Sequence, residues 1–275
     1  GPLIKIFHRL AKIFGHVPNR LMEPYRQSPV KHADETGWRN DGQSGYVWLF
    51  ATVKISLFLF RKTRSSSVPR EVFGNKPLPG TLVVDRYNAY NKAPCALQYC
   101  YAHLLREVED IGKEFPESEE VKTFVGVLAP LLATAMHLHC LPITDAPFYE
   151  QAEKVKSQII EVVHACAQHL AMRRIQEIFH DSADRMYRWA EDRRIPADNN
   201  LAERDLRPTV IARKVSFGSQ SDAGAQTRGV LMTTLHTLKK QTKTDAASAF
   251  KTILDQLAKD PSLDPYNLLF PNDTS

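Results

Sequence analysis

Three acidic residues stand in local settings that suit metal chemistry. Asp34 closes a strand-like run, Val30-Lys31-His32-Ala33-Asp34, and Asp85 closes another, Thr81-Leu82-Val83-Val84-Asp85. Glu203 lies far downstream, in the helix-like stretch Asn199-Asn200-Leu201-Ala202-Glu203-Arg204-Asp205-Leu206-Arg207. Two carboxylates at the ends of neighbouring strands, with a third on a helix beside them, would make a site for divalent cations. Oxygen-only ligands suit the hard ion Mg²⁺. A pair of such ions can activate an attacking oxygen and stabilise a leaving one. On a chain of net charge +5, this points to phosphodiester chemistry on nucleic acid.

Each residue also has a plainer reading. Side chains alternate along a strand, so His32 and Asp34 share one face while Ala33 and Glu35 share the other. Asp34, not Glu35, is therefore the candidate. A bare carboxylate ending a buried strand is costly unless it is paired or bound to a cation. The alternative for Asp85 is a cap on the turn Arg86-Tyr87-Asn88. Asn200, Glu203, Arg204 and Arg207 fall at i, i+3, i+4 and i+7, a single polar stripe on a helix. That stripe could hold metal and grip phosphates, or it could be a solvated face laced with ion pairs. Asn200, Arg204, Arg207, Arg213 and Lys214 are the candidates for contact with a DNA backbone.

The elements that must position these residues read as follows. Residues 1–28 form an amphipathic helical segment, with Ile4, Phe7, Leu10 and Phe14 at helical spacing. Residues 29–103 carry the strand signals: Val30–Asp34, Tyr46–Thr52, Ile55–Phe60, Thr81–Asp85 and Leu97–Tyr101. The second and third of these read as a hairpin. Residues 104–195 are helix-rich, with one long run from Pro147 to Trp189 and no strand signal. Residues 196–260 hold the Glu203 helix and two closing helices, Ala223–Lys240 and Ala246–Lys259. Residues 261–275 read as a tail along the surface. The fold class is α/β, a mixed sheet with flanking helices and a large all-α insertion between Asp85 and Glu203. Trp38, Trp48 and Trp189 read as core residues, with base stacking as the second reading for Trp189.

With 275 residues and 43% apolar content, the chain can bury a sizeable core. Its four cysteines form no Cys-x-x-Cys pair, which reads as reduced thiols in a cytoplasmic protein. No apolar run approaches the length of a membrane span, so no membrane partner is expected. The start, Gly1-Pro2, reads as a protease scar on a trimmed or fragmentary chain.

Four blocks resemble the catalytic region of the insertion-sequence-66 family of DDE transposases. They are His32-Ala33-Asp34-Glu35-Thr36-Gly37-Trp38-Arg39 with Tyr46-Val47-Trp48-Leu49-Phe50; Leu82-Val83-Val84-Asp85-Arg86-Tyr87-Asn88-Ala89-Tyr90-Asn91; Cys100-Tyr101-Ala102-His103; and Asn199-Asn200-Leu201-Ala202-Glu203-Arg204-Asp205-Leu206-Arg207-Pro208, running on to Gly218-Ser219. Together they span roughly residues 20–260 in family order. The resemblance implies a ribonuclease-H-like core, Mg²⁺ with Mn²⁺ as its substitute, and DNA cleavage and strand transfer at transposon ends. It places the catalytic and metal-binding triad at Asp34, Asp85 and Glu203. Double-stranded DNA, as transposon end and as target, is the implied partner, and a bacterial nucleoid-associated location follows. A homodimer is the assembly common among transposases. Cys100 and His103 take a structural or hydrogen-bonding role near the site, since two ligands fall short of the four in a structural zinc centre. A non-catalytic DNA-binding or regulatory remnant of a transposase is the alternative function.

Overall fold

A computed structural model describes residues 1–271. In chain order the elements are α1 (Pro2–Ile13), α2 (Val17–Gln27), β1 (Val30–Asn40), β2 (Gln43–Ala51), β3 (Ser56–Arg61), α3 (Ser67–Phe73), β4 (Thr81–Val84), β5 (Ala96–Tyr99), α4 (Tyr101–Glu114), α5 (Glu119–Leu138), α6 (Asp145–His164), α7 (Leu170–Asp181), α8 (Arg188–Glu191), α9 (Asn200–Ser216), α10 (Asp222–Gln241), α11 (Ala246–Lys259) and α12 (Pro265–Leu269). The chain is a mixed α/β protein. It divides into two compact units, Gly1–Gly80 with the chain from Asn200 onward, and Thr81–Asn199.

The first unit is built on an antiparallel meander, β1–β2–β3. Its first turn is Asp41-Gly42, both with positive φ (51° and 71°). That is the backbone a two-residue hairpin matched to strand twist requires. Asn40 therefore pairs Gln43, and β1 runs on past Asp34 to Asn40. The expected end of the strand at Asp34 was too early, because Glu35–Arg39 continue the ladder against β2.

Register assigns the two faces. His32, Asp34, Thr36 and Trp38 oppose Ala51, Leu49, Val47 and Gly45, so all of these share one side. On that side Trp38, Val47, Leu49, Phe58 and Phe60 pack with Ala202 and Leu206 of α9 and Ala225 of α10. On the other side Phe50 meets Tyr25 of α2 and Phe73 of α3, and Trp48 stacks on Phe50. Burying each large apolar side chain contributes about 1.5–3 kcal/mol.

The outer edge of β3 is sealed by α10. Thr233 and Thr237, both fully buried, accept the N–H groups of Phe58 (2.9 Å) and Ser56 (3.1 Å). Residues four apart on a helix rise about 6 Å, and residues two apart on a strand about 6.8 Å. The two hydroxyls thus stand in for a missing strand and cover an edge that would otherwise invite pairing. Lys240, one turn further on, donates to the carbonyls of Thr52 and Ile55 and pairs with Asp205 of α9 at 2.5 Å. Asp205 also accepts the Ser56 hydroxyl at 2.8 Å.

In the second unit β4 and β5 are parallel, Thr81 opposite Ala96 and Val84 opposite Tyr99. Five helices follow. Gln98, fully buried, donates to Met186 O and accepts the Trp189 N–H, while Trp189 Nε1 donates to the Tyr101 hydroxyl. Trp189 is 1% exposed, so it is a core residue and its ring is closed to a base.

Three further expectations change. The run from Pro147 to Trp189 is not one helix. It breaks between α6 and α7, where the Glu120 carboxylate accepts the N–H groups of Gln168 and His169. Helix α5 is long and apolar enough to cross a membrane, though no such run was expected. It buries Val121, Phe124, Leu128, Leu132, Ala135 and Leu138, the spacing of a helix packed on one side. The described part of the tail, expected on the surface, folds into α12 and buries Tyr266, Leu269 and Phe270, while 272–275 lie outside the described residues. Asp264 caps α12 and pairs with Arg20 of α2.

The Asp205–Lys240 pair generates a prediction. Both side chains are less than one-fifth exposed (14% and 17%), and burial holds the Lys240 pKa below the usual lysine value, with Asp205 opposing that shift. Lys240→Met strands a buried carboxylate and should cost about 3 kcal/mol. Adding Asp205→Asn to that variant should recover part of the loss. Urea unfolding midpoints of the two variants measure both effects.

Candidate functional site

The site residues are taken first within their own unit. In the first unit, Asp34 projects from β1 on the face that α9 covers, and Glu203 lies on α9. Asp34 is half-buried, and its Oδ1 accepts the Glu35 N–H at 2.8 Å. Glu35 lies on the opposite face. Its side chain is 1% exposed and bound by Arg64 through Nε (2.9 Å) and Nη2 (2.6 Å). Strand alternation therefore separates the two neighbouring acids, one toward α9 and one neutralised beneath the sheet.

Helix α9 is held at both ends of its contact with the meander. Asp205 ties its first half to Ser56 and Lys240. Arg213 ties its second half to β1, donating from Nη1 to Thr36 Oγ1 (3.1 Å) and Gly37 O (2.8 Å). Between these ties Glu203 is half-buried, and its Oε1 is shut off from solvent with no hydrogen-bond partner among the described residues. Glu203 forms no ion pair with Arg204 or Arg207. The solvated face with helical ion pairs is therefore not what the helix presents at this residue. A desolvated carboxylate oxygen without a donor is unfavourable, and its charge and donor type fit a divalent cation.

In the second unit, Asp85 is the first residue after β4. Its Oδ1 accepts the Tyr87 N–H at 3.0 Å, the turn-capping bond anticipated as the plainer reading. A carboxylate that caps with one oxygen still offers the other, so the two roles are compatible. Cys100 lies between β5 and α4, at the N-cap of the helix; its Sγ accepts the Asn199 N–H at 3.2 Å. Burial raises its pKa to about 11, against the lowering effect of the Asn199 bond. This thiol is a hydrogen-bonding anchor for the residue just before α9. His103 lies in the first turn of α4, and its Nδ1 is buried without a hydrogen-bond partner among the described residues.

The basic candidates differ among themselves. Arg204, Arg207 and Lys214 are exposed, and none forms an ion pair among the described residues. Asn200 is exposed at the start of α9. Arg213 is half-buried and already bonded to β1, so its first task is to hold the helix. The part played by Asp205 was not read from sequence. Its partner Lys240 lies 35 positions on, and no local pattern signals the pair.

Cysteine chemistry gives a test of this arrangement. Cys140 and Cys166 are exposed, whereas Cys100 is buried with a raised pKa. The thiolate is the reactive form. Iodoacetamide near pH 8 should label Cys140 and Cys166 in the folded protein and leave Cys100 unmodified until denaturant is added, as read by peptide mass spectrometry.

Comparison with curated proteins finds none that matches. A family model described as Transposase IS66 family matches residues 1–227. The match takes in β1 to β5, the helices of the second unit, all of α9 and the first turn of α10. It includes Asp34, Asp85 and Glu203, and it reaches back through α1, further than the motif blocks alone extend. The chain belongs to the IS66 family of transposases.

Proposed function

We propose that the chain is the catalytic core of a DDE transposase, in which Asp34, Asp85 and Glu203 together hold divalent metal for DNA cleavage and strand transfer. The observation that carries this reading is the buried, unpartnered Glu203 oxygen, on a helix packed against the strand face that bears Asp34. Family membership supplies the DNA substrate in general terms. A ribonuclease-H-like core is the fold proposed to unite these residues. An antiparallel meander, a parallel pair, a helical stretch and a returning helix follow one another in the order such a core needs. The helical stretch, 104–195, is then the insertion.

Bound Mg²⁺, or Mn²⁺ in its place, supplies Lewis acidity at the scissile phosphate and lowers the pKa of the attacking oxygen. The protein's own groups do the rest. Asp34, Asp85 and Glu203 provide negative charge in a partly desolvated setting, where a cation is favoured over protonation. Arg204, Arg207 and Lys214, exposed and without an ion pair among the described residues, neutralise backbone phosphates and fix the register of the duplex. Asn200 adds a hydrogen-bonding group on the same helix. Arg213 and Asp205 hold α9 still while charge moves nearby. Double-stranded DNA as transposon end and target, a homodimeric assembly and a nucleoid-associated location belong to the same proposal.

Three experiments test it. On an oligonucleotide duplex with Mn²⁺, Asp34→Ala, Asp85→Ala and Glu203→Ala should each reduce nicking and strand transfer by roughly a hundredfold or more. Mg²⁺ should raise the Tm of the native chain and leave that of Glu203→Ala unmoved. Cleavage by the Glu203→Ala protein at near-native rate would end the assignment. Tight DNA binding with no cleavage under any divalent ion would favour the non-catalytic remnant instead. Arg207→Ala should weaken binding and reduce the slope of log affinity against log salt by about one.

A further inference from the structure

Helix α9 ends in a feature that the proposed chemistry does not use. Phe217 follows its last turn and is 77% exposed. Its backbone is in the left-handed region, with φ 56°. A bulky side chain rarely adopts that conformation, which is strained and persists only where the surroundings enforce it.

The surroundings do enforce it. The Phe217 N–H is bonded to Arg213 O, and Arg213 is itself tied to β1. On the other side Ser219 bonds to Arg39 through its N–H, accepts the Asp41 N–H at its carbonyl, and accepts Trp38 Nε1 at its hydroxyl. Gly218 sits between them at φ 130°, so close to β1 that a Cβ would lie 2.1 Å from Arg39 O. The ring is thus fixed to a sheet and a helix and aimed at solvent. A free loop would let an exposed phenylalanine fold down onto apolar surface.

The chemistry around the ring is basic and apolar. Ile211 and Val215 are 58% and 76% exposed on the same side of α9 as Arg204, Arg207 and Lys214. Arg39, beside Gly218, is exposed and forms no ion pair among the described residues. Of the nearby acids, Asp222 is engaged by Lys62 and Asn40, and Asp41 lies on the hairpin tip. A rigid apolar wedge flanked by unpaired cations matches a nucleic acid whose bases can be parted. Phosphates meet the cations, and a base face meets the ring.

We infer that Phe217 is a base-stacking wedge that inserts at an opened step of the DNA, with Ile211 and Val215 lining its approach and Arg39 and Lys214 holding the flanking phosphates. The inference rests on DNA being the substrate but not on the identity of the metal ligands. It commits to nucleic acid as the occupant because the patch is cationic as well as apolar.

The test compares one labelled duplex, intact or carrying a single unpaired base, by fluorescence anisotropy with the full chain. The native protein should bind the opened duplex about tenfold more tightly, the scale of one base stacked on an aromatic ring. Phe217→Asn, which deletes the ring and still accepts the left-handed backbone, should erase the preference and keep affinity for the intact duplex. Phe217→Trp should retain the preference. Arg207→Ala should weaken both duplexes alike. A preference that survives Phe217→Asn overturns the inference, as does duplex binding with no preference in the native protein; the transposase reading stands in either case. No binding to either duplex sinks both readings. Loss of self-association in Phe217→Asn by light scattering, with DNA preference unchanged, would reassign the patch to a second copy of the chain.

Discussion

The docking of α9 across β1 and β2 is the constraint on which the rest of the first unit depends. Ala202 and Leu206 turn one side of the helix into the hydrocarbon above Val47, Leu49 and Phe58. Apolar contact alone sets the area but not the rotation of a helix on a sheet. Rotation and register come from the polar ties, Asp205 to Ser56 and Lys240, and Arg213 to Thr36 and Gly37. Glu203 is two residues from the first tie. With the helix locked there, its carboxylate is carried into a place where Oε1 loses water and gains no donor. That unfavourable state follows from the packing around it, and it is the kind of local cost that functional sites retain.

The same meander organises what surrounds the site. Because β1 continues to Asn40, its distal half reaches Ser219 and anchors the turn after α9. One strand therefore bears Asp34 near its start and steadies Phe217 near its end. The two-residue hairpin at Asp41-Gly42 makes this possible, since it lets β1 stay paired with β2 up to Asn40 opposite Gln43. At the edge of β3, the threonines of α10 accept the N–H groups of Ser56 and Phe58. Neutralisation of Glu35 by Arg64 beneath the sheet leaves Asp34 as the residue of that pair directed toward α9.

The second unit uses buried polar groups to fix its parts. Gln98, Tyr101, Trp189 and the Met186 carbonyl form a closed network, and such networks specify one arrangement when every member is satisfied. Periodicity separated this helical stretch from the strands but misread its breaks. The entry into α7 depends on Glu120, a side chain 48 positions from the N–H group of Gln168 that it accepts. Helix α5 shows a related limit. Its composition resembles a membrane span, and its burial pattern is that of a helix packed on one face.

Local sequence by itself determined where each of the five strands begins or falls (though not the length of β1), the helical character of 104–195, the placement of Asp34 and Glu35 on opposite faces and the motif blocks that mark the family. These follow from side-chain alternation, turn chemistry and short contiguous patterns, each of which acts over a few residues. Tertiary structure decided the matters that involve distant partners. It turned Arg213 from a candidate phosphate contact into a brace for β1, and it closed Trp189 inside a core. It made Asp205 a clamp, left Glu203 Oε1 without a donor among the described residues, and held Phe217 in a left-handed turn facing solvent. The physical reason is common to all of them. Burial and hydrogen-bond satisfaction are properties of neighbours brought together by folding, and those neighbours here lie tens to nearly two hundred positions apart along the chain.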